Sequence, residues 1–372
     1  MHLGINVVRL TRTFTGVGRY IESILKEWSR VDVPFDRITL FTNKALEQER
    51  LDFPVDQYTQ KIIGPQIPDP LWESVWLTRE SEDIDVLFGP SYTLPVGYRG
   101  RAVVTNHGPA DNKFPSFQWW RAQAYEALYR QSTKVADHVL VNSQAVKQRM
   151  IKTYRVPEDK LTVTYLAPNE AFRPVDSPEA RTKVLERWGL DGSPYILFVG
   201  KMAARHYIPN LLGAYARLAA ELPDQDRLVL VGPDYLGLDI PTLAATMGIA
   251  KQVTYIPYAD LKALPALYSA ASFFVFPASD AEGFGFPVVE AMACGTPVVT
   301  TGLGSLSEIA ADAALITGDT SEDALYQGMK KMAFDSALWQ DMRVKGLDRA
   351  KQFSWQTTAR QTMKLLWDTA AR

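Results

Sequence analysis

The chain has 372 residues, 47% hydrophobic and 22% charged, with 16 Phe, 16 Tyr and 9 Trp. That is enough apolar material for about two domains, and it excludes disorder as the dominant state. The single cysteine, Cys294, excludes a disulfide framework or a cysteine-rich zinc site and is compatible with a reducing cytoplasm, while a formal net charge of −2 argues against nucleic acid as a partner.

Residues 3–8 read as a first strand and not as a signal peptide, because no basic stretch leads into a long apolar run. Residues 17–28 read as a helix, with Tyr20, Ile24 and Trp28 recurring every fourth position. Strand patterns follow at 37–42, 85–88, 101–105 and 139–141, with helical patterns at 118–134 and 145–153. This alternation predicts a parallel sheet covered by helices. A strand at 161–166 closes the series, and residues 167–174 are polar and broken by proline. Alternation then restarts with strands at 195–199, 227–231, 253–256, 273–276 and 297–300. Helices are expected near 209–222, 242–247, 261–270 and 287–293. The expectation is two α/β domains, 1–172 and 173–354, followed by a helix from about 355 to 372. Taken alone, that helix reads as an amphipathic cap on the second domain. No apolar run approaches the roughly 18 residues of a membrane span.

The most informative stretch is Glu282-Gly-Phe-Gly-Phe-Pro-Val-Val-Glu290, continuing to Gly295-Thr-Pro-Val-Val299. It follows an apolar strand and opens a helix, with Pro287 in the first turn. Free N–H groups and the positive dipole end at such a start suit a phosphate, and Gly283 and Gly285 permit close approach. Glu282 and Glu290 flank it, and each carboxylate can hold a vicinal diol. A phosphate between two diol readers describes a sugar nucleotide. The same residues would serve equally well as a helix cap and a solvated face.

Glu-x7-Glu followed by Ala-Met-Ala-x-Gly-Thr-Pro-Val-Val resembles the donor site of retaining glycosyltransferases of family 4. The resemblance covers nearly the whole chain. It includes Gly16-Val-Gly-Arg-Tyr20, Asn106-His107-Gly108, Val141-Asn-Ser143, Phe198-Val-Gly200, Gly304-Ser-Leu-Ser-Glu308 and Phe353-Ser-Trp355. It implies the α/β GT-B fold, two Rossmann-like domains facing across a cleft, with the last helix crossing back to the first domain. It also implies transfer of a hexose-type sugar from a nucleoside-diphosphate sugar, GDP-mannose or a UDP-sugar, to an acceptor hydroxyl. No cofactor and no metal are expected. Glu282 then matches the glutamate that contacts the transferred sugar and Glu290 the one that binds ribose. The N–H groups of Phe284, Gly285 and Phe286 match the diphosphate cradle, beside Gly200. His107 matches the histidine near the donor sugar.

The chain departs from the family in its basic pair. Lys201 stands where an arginine is usual and His206 where a lysine is usual, with Arg205 beside it. Lys201 and Arg205 are expected to meet the leaving diphosphate, and His206, taken as neutral at pH 7, to be a weaker contact. Gly108 replaces a frequent aspartate. Asp111 is assigned to acceptor binding, with Arg19 and Ser143, and Tyr258 to the region of the base.

Gly16-Val-Gly18 does not open a dinucleotide fingerprint. Ile21 stands in the third glycine's place, and seven residues, Arg9 to Thr15, precede Gly16. A loop facing the cleft, contacting donor phosphate or acceptor, is expected there instead. Asp83-Ile-Asp85 and Asp224-Gln-Asp226 precede strands, the wrong edge for a metal site. Residues 99–155 hold 10 Lys or Arg against 3 Asp or Glu, and Phe114, Phe117, Trp119 and Trp120 fall among them. A cytoplasmic location is expected, with peripheral docking on the anionic inner face of the cell membrane as an expectation from this face. Two other readings stay open: a catalytically silent sugar-nucleotide-binding scaffold, and a nicotinamide-dependent dehydrogenase.

Overall fold

A computed structural model describes residues 1–12, 16–108, 119–190, 192–223 and 226–372, with backbone alone for 119–122. The chain divides into two compact units. The first is Met1–Leu166 with Ser354–Arg372, and the second is Ala167–Phe353. The passage at Leu166 comes earlier than the expected 172, because Phe172 already packs edge-on against Tyr268 of the second unit, 5.9 Å between ring centres.

The first unit is built on seven parallel strands: β1 (His2–Asn6), β2 (Arg37–Thr42), β3 (Thr59–Ile62), β4 (Val86–Gly89), β5 (Ala102–Asn106), β6 (His138–Val141) and β7 (Leu161–Val163). Their order is β3-β2-β1-β4-β5-β6-β7. The second unit has six parallel strands: β8 (Tyr195–Val199), β9 (Arg227–Val231), β10 (Val253–Ile256), β11 (Phe273–Phe276), β12 (Val298–Thr300) and β13 (Leu315–Ile316). Their order is β10-β9-β8-β11-β12-β13. Both sheets reverse direction of growth once, between β1 and β4 and between β8 and β11. In such sheets ligands settle beyond the carboxyl ends of the strands at that reversal.

The central strands are apolar throughout because helices cover both of their faces. All of β8 and β11 is buried. Helix Gly16–Trp28 buries Tyr20, Ile21, Ile24, Leu25 and Trp28, one stripe at helical spacing. Gly16 and Gly18 therefore lie in the first turn of a helix, where a loop was expected. β1 is shorter than expected and gives way to a single 3₁₀ turn, Val8–Thr11. Strands β3 and β13 and the helices Pro178–Leu185, Ser305–Ala310, Glu322–Phe334 and Ser336–Ala350 were not anticipated. Among the described residues no helix is long and apolar enough to cross a membrane.

The last helix, Trp355–Ala370, belongs to the first unit. Ser354 caps it by accepting from Thr357 N at 3.3 Å. Trp28 Nε1 donates to Ala359 O at 3.0 Å, Thr358 Oγ1 donates to Tyr165 O, and Phe35 meets Trp367 edge-on at 5.5 Å. Leu366 is fully buried at this contact. Leu366→Ala is expected to destabilise the first unit by about 2–5 kcal/mol. A urea titration read by tryptophan fluorescence would show a lower midpoint at unchanged slope, and an unshifted midpoint would contradict this packing.

Candidate functional site

The carboxyl ends of β8 and β11 carry most of the expected donor residues. After β8 come Gly200 and Lys201, then the 3₁₀ turn Ala204–His206. After β11 the chain runs through Ser279 and Glu282 to helix Phe286–Ala293, entered through Gly285 at φ 90° with no side-chain cap. A side chain at Gly285 would be strained there and would lie 2.5 Å from Leu306 Cδ2. The two loops are tied together. Ser279 N donates to Arg205 O at 2.9 Å, and Ser305 Oγ donates to Glu282 O at 2.9 Å.

Arg205, His206 and Glu282 form one cluster. Arg205 Nε and His206 Nε2 each lie 3.3 Å from Glu282 Oε2. Burial alone would raise the Glu282 pKa. The hydrogen bond from His206 and the charge of Arg205 outweigh it and hold the carboxyl down at about 2. Glu282 Oε1 has no partner among the described residues, so one carboxylate oxygen is fixed and the other is open to a hydroxyl. His206 is buried against Phe198 and Phe276, at ring distances of 6.0 and 5.1 Å, with Nδ1 facing Lys201 O. Its two ring nitrogens thus face Lys201 O and Glu282 Oε2, so His206 ties the two loops together.

The Lys201 ammonium makes no hydrogen bond or ion pair among the described residues and lies 5.4 Å from the Tyr235 ring centre. Burial and then the Arg205 charge lower its pKa, against the pull of Glu282. Lys201 and Arg205 thus place two cations at the sheet reversal, with the Glu282 carboxylate beside them. Glu290 is 3% exposed and accepts from Tyr268 OH at 3.2 Å, facing inward one turn into its helix. Tyr258, just beyond β10, is 77% exposed.

In the first unit, His107 follows β5. Its Nε2 lies 2.9 Å from Pro90 O, which can only accept, so the proton is on Nε2 and Nδ1 has no hydrogen-bond partner among the described residues. Tyr20 and Tyr92 meet its ring edge-on at 5.0 and 5.1 Å. Burial depresses its pKa to about 4, so it is neutral near pH 7. Ser143 is buried and caps helix Gln144–Arg149 by accepting from Val146 N at 3.1 Å. Arg19 sits in the first helix. Asp111, Asp224 and most of the aromatic stretch 114–120 lie outside the described residues, and so do the side chains of Trp119 and Trp120. Asp85 receives the His2 N–H at 2.6 Å at the amino end of the sheet. Among the described residues no cluster of metal-ligating side chains occurs.

The sequence reading missed Glu73. It lies at the reversal between β1 and β4, where Asn6 Nδ2 and Thr93 Oγ1 each donate to its Oε1 at 2.9 Å. Burial pushes its pKa up to about 7. It starts a π-turn, Glu73–Leu77, within an otherwise apolar helical stretch. A lone glutamate beside Trp72 in such a stretch was the available signal.

Residues 14–167 match the model described as Glycosyltransferase Family 4, and residues 181–349 match Glycosyl transferases group 1. O-antigen chain mannosyltransferase B of Escherichia coli is 32% identical over 295 residues, covering 77% of this chain and 75% of that protein. D-inositol 3-phosphate glycosyltransferase of Nocardia farcinica is 28% identical, covering 76% and 61%. In fold, the chain is similar to sucrose-phosphate synthase of Thermosynechococcus elongatus, with TM-score 0.78, 20% identity and 100% and 99% of the chains covered. It is equally similar to HepE of Anabaena solved with UDP-glucose, with TM-score 0.78, 17% identity and 99% and 100% covered.

Proposed function

Because the chain belongs to glycosyltransferase family 4, we propose that it moves a hexose-type sugar from a nucleoside-diphosphate sugar to a glycan, lipid or small-molecule hydroxyl, retaining the anomeric configuration. The observation that carries this reading is the Lys201 ammonium, without an ion pair among the described residues, beside Arg205 at the reversal of the second sheet, with the Glu282 carboxylate in the same cluster. A mannosyl donor is favoured by the likeness to mannosyltransferase B, and a UDP-sugar is the second candidate.

In this reading Lys201 and Arg205 take up the charge that develops on the leaving diphosphate. Glu282 Oε1 accepts from hydroxyls of the transferred sugar, while Arg205 and His206 fix its other oxygen. The leaving phosphate oxygen receives the acceptor proton on the same face of the sugar, so no covalent nucleophile is required. The protein supplies orientation and charge. Two cations at the diphosphate make a metal unnecessary.

Calorimetric titration with GDP, UDP, ADP and NAD in EDTA tests the proposal. Binding of GDP or UDP, weakened by Glu290→Ala, supports it and identifies the base. Binding of NAD alone, or a strict need for a divalent ion, overturns it. Vesicle sedimentation with and without anionic lipid tests the membrane expectation, which salt-insensitive behaviour would end.

A further inference from the structure

The carboxyl ends of β8 and β9 are locked to each other beyond the sheet. Met202 N donates to Pro233 O at 2.9 Å, Tyr235 N donates to Met202 O at 3.1 Å, and Met202 pairs with Asp234 as an isolated parallel bridge. Gly232, at φ 132°, passes so close to Gly200 that a Cβ would lie 2.1 Å from Gly200 O. Asp234 then closes the turn, accepting from Leu236 N at 2.9 Å and Leu238 N at 2.6 Å. These bonds tie the turn after β9 to the end of β8.

What it holds in place is an aromatic ring in solvent. Tyr235 is 65% exposed and Leu236 beside it 44%. An accessible tyrosine ring offers a flat face on which a planar ligand can stack. The Lys201 ammonium lies 5.4 Å from the centre of the ring. A nucleoside diphosphate carries its phosphates and its base at opposite ends of one ribose. A cation and an aromatic face a few ångströms apart, on two strand ends locked in register, reproduce that order.

We infer that Tyr235 is the platform for the base of the donor nucleotide, with the diphosphate turned toward Lys201. The inference rests on the donor-site reading above and adds to it a residue and a polarity for the bound nucleotide. Stacking on one tyrosine accepts any base, so Tyr235 supplies affinity and direction while the identity of the base is read elsewhere.

The test compares the full chain with Tyr235→Ala and Tyr235→Phe by calorimetry. GDP and UDP are the probes, and inorganic pyrophosphate, measured as a competitor, is the probe that lacks a base. Tyr235→Ala is expected to weaken the nucleoside diphosphate about tenfold and pyrophosphate less than about twofold, while Tyr235→Phe keeps both. An unchanged nucleotide affinity in Tyr235→Ala overturns the inference. An equal loss for pyrophosphate overturns it too, because Tyr235 would then act only by supporting Lys201. If the unsubstituted protein binds neither GDP nor UDP, the donor-site reading falls and the inference with it.

Discussion

Lys201→Ala is expected to lower kcat by roughly 10²- to 10³-fold, the usual cost of removing one preorganised group from a developing anion. The size of the effect follows from the ammonium having no hydrogen bond or ion pair among the described residues, only the Tyr235 ring 5.4 Å away. A lysine held in an ion pair would leave a rearranged neighbour behind, whereas this one leaves an empty position at the leaving group. Charge on the diphosphate grows during transfer, so the loss falls on kcat more than on the KM of the acceptor. Lys201→Arg should recover part of the rate. A variant that keeps full kcat would show that the diphosphate lies elsewhere.

The second large effect concerns stability. Glu73 has a pKa of about 7 in the folded chain against an ordinary 4.5. Between those values the folded chain holds a proton that the unfolded chain has released. Stability therefore falls as pH rises through that window and stays low above it. Glu73→Gln keeps an acceptor for Asn6 and Thr93 and removes the buried charge. The variant is expected to be more stable than the parent by about 3 kcal/mol at pH 8, and the gap should shrink toward zero near pH 5. Thermal melts of both proteins across pH 5 to 8 measure this directly. A gap that stays constant with pH would show that Glu73 does not titrate in the window.

Five of the six strands of the second sheet and the helix start after Glu282 were legible in the sequence because their constraints are local. Uninterrupted apolar runs mark strands covered on both faces, and the Glu282–Gly295 stretch carries its turn, helix start and carboxylates together. β3, Thr-Gln-Lys-Ile, gave no such signal. It is an edge strand, largely exposed, and its polar side chains are what protect such an edge. Tyr235 and Glu73 escaped for another reason. Tyr235 matters because a loop after β9 is locked to one after β8, and Glu73 because a helix delivers it to Asn6 and Thr93. Neither pairing is written in adjacent residues.

The division of the first unit into Met1–Leu166 and Ser354–Arg372 has a consequence for synthesis. The groove that Trp28 and Phe35 offer to the last helix stays uncovered while the ribosome makes all of Ala167–Phe353. At ordinary elongation rates that interval is roughly ten to forty seconds. The second unit is contiguous and can finish folding as it emerges, so the unit begun first is completed last. During that interval the nascent chain presents an open apolar seam, and holding chaperones should be found on it until residue 370 has cleared the exit tunnel.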